Sequence, residues 1–111
     1  MVWDKQELLA RLMNNEEIIP VLLSAFIEDA PRTLNELKDA VAQNNIELIT
    51  RQAHTLKGMS ANLAANPLAE ISRQIELASK GESDQALEPL IEELEKSFND
   101  VMDCFKEELS A

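Results

Sequence analysis

Apolar residues recur along this chain at alternating intervals of three and four. Ile46, Ile49, Ala53, Leu56, Ser60 and Leu63 follow a 3-4-3-4-3 spacing; Leu87, Ile91, Leu94, Phe98, Val101 and Phe105 follow 4-3-4-3-4. That rhythm lines one stripe of an α-helix and does not fit the period of two of a half-buried strand. The composition agrees. With 2 Gly and no Tyr, the chain lacks the turns and β-prone aromatics of a sandwich. The expected fold class is all-α. A length of 111 residues, 45% of them apolar, suits one domain over residues 1–111 with a core of its own.

Stop and start signals divide the chain into six predicted helices. Asp4 and Glu7 form a capping box before a short first helix through Leu8, Leu9 and Leu12, which Asn14-Asn15 ends. A second opens at Glu16-Glu17 and carries Ile18, Ile19, Leu22, Leu23, Phe26 and Ile27. Ala30-Pro31 predicts a boundary, because the residue before proline is pushed out of helical geometry. The third runs from Pro31 through Leu34, Leu37 and Val41 to Asn44-Asn45, and the fourth from about Ile46 to Ala65. Asn66-Pro67 begins the fifth, with Leu68, Ile71, Ile75 and Ala78, and Gly81 closes it in the C-cap role. Asp84 caps the last. Short connections force neighbouring helices antiparallel. The predicted architecture is an up-down four-helix bundle, with the two additional short N-terminal helices covering one end.

Charge narrows the function. The net charge is −11, which argues against nucleic acid or an anionic membrane surface as partner. No apolar run reaches the ~18–20 residues of a membrane span, and the N-terminus lacks a signal-peptide pattern. The single Cys104 excludes an internal disulfide and fits a reducing compartment; it lies near the apolar stripe of the last helix. One His and one Cys do not make a zinc site without carboxylates, and no metal site is expected. From Glu82 to Ala111 ten acids stand against two bases, most simply a solvated face. Between Leu48 and Ile75 the balance reverses, with Arg51, Lys57 and Arg73 against Glu70.

His54, the only histidine, lies in that stretch. At about 100° per residue it points about 130° away from the centre of its helix's apolar stripe, into water. Its face is shared by residues three, four and seven away: Glu47, Thr50, Arg51, Lys57, Gly58 and Ala61. Gly58 costs ~1 kcal/mol against alanine in mid-helix. Close approach by another macromolecule would explain it. A neutral imidazole is a nucleophile, and Lys57, assisted by Arg51, could neutralise a phosphoryl group placed on it. No carboxylate lies within one turn of His54 along the helix. There is no hydrolase triad and no glycine-rich nucleotide loop. The residue types alone do not separate this chemistry from an ordinary exposed surface.

The run His54-Thr55-Leu56-Lys57-Gly58-Met59-Ser60-Ala61-Asn62-Leu63-Ala64-Ala65 resembles the H-x-L-K-G-x-S-x-x-L-G-A motif of histidine phosphotransfer domains. The similarity extends to Phe26–Pro31, to Leu34, Leu37, Ala40 and Val41, and to Leu68-Ala69. Two positions depart: Ala64 replaces the usual Gly, and Met59 a common Ser. A histidine-kinase dimerisation domain usually carries an acidic residue after its histidine, where this chain has Thr55.

The resemblance implies a four-helix bundle and a phosphorelay intermediate rather than an enzyme with its own kinase activity. His54 would accept a phosphoryl group from a receiver-domain aspartate and pass it to another receiver. Lys57 would contact that group. Gly58, Ala61, Thr50 and Arg51 would face the receiver. No cofactor is implied beyond Mg²⁺ on the partner. The implied setting is a cytoplasmic monomer, a bacterial module of a hybrid sensor kinase whose own receiver could be a partner. A non-catalytic interaction bundle is the alternative.

Overall fold

The computed structural model describes residues 1–111. Helix α1 spans Lys5–Arg11, and a 3-10 turn at Glu16–Ile18 leads into α2, Ile19–Ala42. Helices α3 (Ile46–Asn62), α4 (Asn66–Ser79) and α5 (Leu87–Ser110) follow. Helices α2 to α5 form the expected all-α bundle, each packed on the next and α5 closing back on α2. The molecule measures 41 × 22 × 20 Å. No helix is long and apolar enough to cross a membrane.

The boundary expected at Ala30-Pro31 is absent: the second and third predicted helices are one, with Pro31 inside α2. Proline removes one backbone bond and crowds the preceding turn, at a cost of ~3 kcal/mol. Against that stands an unbroken buried stripe of Ile19, Leu23, Phe26, Ala30, Leu34, Leu37 and Ala40. Burying one Leu or Phe contributes ~1.5–3 kcal/mol, so a break at Pro31 that lifted either half from the core would cost more than the proline does. Of the two short N-terminal helices, only α1 forms as a separate element; the second becomes the start of α2, entered through the 3-10 turn.

Left-handed residues follow four helices: Met13 and Asn14 after α1, Asn44 after α2, Ala64 after α3 and Gly81 after α4, with φ of 55°, 63°, 53°, 62° and 75°. After α3, Ala65 N–H donates to Ser60 O and Ala64 N–H to Ala61 O, both at 3.0 Å. This Schellman pair stops α3 at Asn62, three residues before the expected end. Other caps differ from expectation. Asn66 is the first residue of α4, not its cap, and α5 starts after Ala86 rather than from Asp84. Asn45 does cap α3, accepting from Leu48 N–H at 3.2 Å.

The N-terminal segment plugs the exposed carbonyls at the end of α3. Trp3 Nε1 donates to Leu63 O at 2.6 Å, Asp4 N–H to Ala64 O at 3.0 Å, and Arg11 to Ala61 O at 2.7 Å. Asp4 still caps α1 through Glu7 N–H at 3.0 Å. The reciprocal half of the capping box is missing, because Glu7 turns to Arg11 and Asn66. Trp3 packs edge-on to Phe105, centroids 5.2 Å apart, and Phe105 to Phe26 at 5.3 Å. These contacts anchor α3, the helix that carries His54.

Candidate functional site

Helix α3 buries Ile49, Ala53, Leu56 and Ser60, with Leu63 following at its cap. Ile46, at the start of the stripe, is exposed. This registration turns His54 outward, and its side chain is 65% exposed. Lys57, one turn on, leans toward α4. Gly58 is exposed, and a Cβ built on it would meet nothing within 4 Å. Internal packing therefore gives no reason for a glycine there.

The structure supplies a carboxylate from a neighbouring helix. Glu76 of α4 has a side chain only 9% exposed, and its Oε2 lies 2.9 Å from His54 Nδ1. Its Oε1 accepts from Lys57 Nζ at 2.8 Å, and Lys80 Nζ stands 3.6 Å from Oε2. Burial pushes the Glu76 carboxyl up, but hydrogen bonds from Lys57 and His54 outweigh it and hold the group below its ordinary value. An ionised carboxylate only accepts hydrogen bonds, so the proton on His54 is assigned to Nδ1. In the neutral ring the Nε2 lone pair then faces solvent.

The expectation of no carboxylate near His54 holds along α3 and fails across the α3–α4 hairpin. A turn at Ala64 with antiparallel arms brings residues about equally far on either side together. His54 and Glu76 stand ten before and twelve after it. A second signal was the polar line Ser72, Glu76 and Ser79, at helical spacing on the face α4 turns inward. Ser72 and Ser79 satisfy their hydroxyls on backbone carbonyls, which leaves Glu76 as the group with chemistry.

The other predicted site residues separate. Thr50 Oγ1 lies 2.7 Å from Ser79 Oγ, in the α3–α4 seam. Arg51 is exposed and makes no ion pair. Ala61 is half-buried, and its carbonyl is covered by Arg11. From His54 the open face runs through Gly58 and Asn62, four and eight residues on. It ends at a shallow cleft of about 180 Å³ between α2 and α3, with Leu22, Ala25, Met59 and Asn62 in its walls. Val21 of α2, 65% exposed, stands next to Leu22. Met59 packs against the core.

The helical bundle presents one histidine outward, with a carboxylate behind it and a lysine beside it. Residues 21–109 match the family model of the Hpt domain, and the chain belongs to that family. Its role is histidine phosphotransfer in a phosphorelay. The chain is similar to histidine-containing phosphotransfer protein B from Pseudomonas aeruginosa PAO1, with 29% identity, a TM-score of 0.88 and coverage of 98% of this chain and 95% of that one. The HPT domain of a sensor hybrid histidine kinase from Shewanella shares the fold at 23% identity, with a TM-score of 0.85 and coverage of 98% and 94%. No curated protein sequence matches significantly.

Proposed function

We propose that this domain accepts a phosphoryl group on Nε2 of His54 from a receiver-domain aspartate and passes it to the aspartate of another receiver. The observation that carries the reading is the Glu76 bond to Nδ1, which leaves Nε2 as the free nucleophile of an exposed ring. In the forward step the Nε2 lone pair forms the N–P bond. The P–O bond to the receiver aspartate breaks, and the departing carboxylate keeps its electron pair. Nδ1 retains its proton, so the ring becomes cationic, and Glu76 stabilises that charge from a fixed position. The return step uses the same atoms in reverse.

Lys57 turns from Glu76 to the phosphoryl oxygens, where a compact ammonium offsets their charge. Gly58, Ala61 and Arg51 form the receiver-facing surface, Thr50 borders it, and the cleft with Val21 and Leu22 adds apolar contact. The receiver brings the Mg²⁺ that in-line transfer needs. The domain acts as a phosphocarrier and hydrolyses no ATP.

The test is transfer from a panel of phosphorylated receivers to wild type and His54→Gln. Acid-labile, base-stable label on wild type alone is expected. No label from any receiver, with helicity intact by circular dichroism, would contradict the proposal and favour a non-catalytic interaction bundle.

A further inference from the structure

The charges around Glu76 do not balance at rest. One carboxylate faces two ammonium groups, Lys57 at 2.8 Å on Oε1 and Lys80 at 3.6 Å on Oε2, beside the His54 ring, whose nucleophilic form is uncharged. The cluster carries one surplus positive charge. The unit that moves in phosphoryl transfer, PO₃⁻, carries one negative charge, so its arrival brings the cluster to zero. Without Lys80, the loaded cluster would be left with one uncompensated negative charge.

The two lysines are not equivalent. Lys57 sits one turn from His54 on the same helix, within reach of a phosphoryl group on the ring. Lys80 sits at the end of α4, four residues after Glu76, in the favourable acid-before-base order for a helical pair. Its Nζ lies beyond hydrogen-bond distance from Oε2, which His54 already occupies, and its side chain is 44% exposed. No other cation pairs with Glu76; Arg73, one turn earlier on α4, is held by Glu70 at 2.6 Å. If Lys57 leaves, Lys80 is the only ammonium group left beside the Glu76–His54 pair.

We propose that Lys80 is a positioning residue that takes over Glu76 when Lys57 moves to the phosphoryl group, so that Glu76 keeps its hold on His54 Nδ1 throughout the loaded state. The inference rests on the reading of His54 as the phosphoryl acceptor. It assigns Lys80 a role in the phosphorylated form and little role in the free one, where Lys57 already satisfies Glu76.

The test loads the whole chain chemically with phosphoramidate, so that no receiver is needed, and follows the ³¹P resonance of the phosphohistidine across pH. Loss of one partly exposed cation is expected to weaken the dianionic phosphoryl form roughly two- to fivefold. Lys80→Gln should therefore raise the phosphoryl titration midpoint by about 0.3–0.7 pH units, since tenfold is one unit. Lys80→Arg should restore the midpoint. Helicity and the Nδ1–H tautomer of the free protein should not change. An unchanged midpoint in Lys80→Gln, or no rescue by Arg, would overturn the handover. Label on wild type at a site other than His54 would instead refute the nucleophile assignment.

Discussion

Gly58 should trade stability for access, and Gly58→Ala measures both sides at once. The residue lies inside α3, exposed, and a Cβ there meets no atom within 4 Å. Alanine would therefore enter without strain. It would also remove the excess chain entropy that glycine carries in the unfolded state, worth about 0.8–1 kcal/mol in a helix interior. For a domain of this size that corresponds to a rise of about 3–4 °C in Tm. The same methyl group stands one turn from His54, on the surface a receiver must approach. Gly58→Ala should slow transfer measurably, and Gly58→Leu should slow it far more while helix content stays high. Urea unfolding followed by circular dichroism and by Trp3 fluorescence gives the stability. Transfer from a phosphorylated receiver gives the rate. A variant that is more stable and transfers at the wild-type rate would refute the close-approach explanation. A variant that is less stable would refute the open space above Gly58.

Further outcomes are expected at Lys57, Glu76 and Ala64. Lys57→Ala should slow transfer without abolishing it, as read by rapid-quench kinetics, because Glu76 still orients the ring. Glu76→Gln should slow transfer by about tenfold, the difference between a charged and a neutral acceptor facing a cationic ring. Its carboxyl is held below the ordinary 4.5, so its stabilising contribution is complete above that pH and is lost as pH falls through the depressed value. The stability gap between wild type and Glu76→Gln should accordingly narrow below pH 4.5 in acid–urea titrations. Ala64→Gly should change stability by less than about 1 kcal/mol. Relief of ~1–2 kcal/mol of left-handed strain is offset by a lost buried methyl, ~0.8 kcal/mol, and by added unfolded-state entropy. Ala64→Val, β-branched at φ 62° in a fully buried position, should cost more than about 3 kcal/mol in the same denaturation assay.

The legible part of the molecule was what one helix determines by itself. The α3 stripe fixes which way His54 points. The spacing of Lys57 and Gly58 follows, and so do the Gly81 cap and most of the buried face of α5. Two kinds of information were not local. Pro31 signals a break by its own chemistry, yet the buried residues on both sides, Ala30 and Leu34 among them, hold the helix together through tertiary packing. Glu76 lies on the next helix, and only the pairing of the α3–α4 hairpin reveals that it meets His54. Ala64 belongs to a third kind. Its small size was visible, but the left-handed backbone, a conformation that favours glycine, became evident only from the Schellman turn. The N-terminal plug of Trp3, Asp4 and Arg11 was equally invisible, since two side chains and one backbone N–H pair with carbonyls about sixty and fifty residues away.

The most direct measurement is the position of phosphorus on the loaded protein. Long-range ¹H–¹⁵N correlation of the histidine ring, recorded before and after phosphorylation, assigns each nitrogen. The account requires Nδ1 to carry a proton in the free protein and phosphorus to appear on Nε2 of His54. A free ring protonated at Nε2, or phosphorus on Nδ1, would contradict the role given to Glu76 and with it the mechanism.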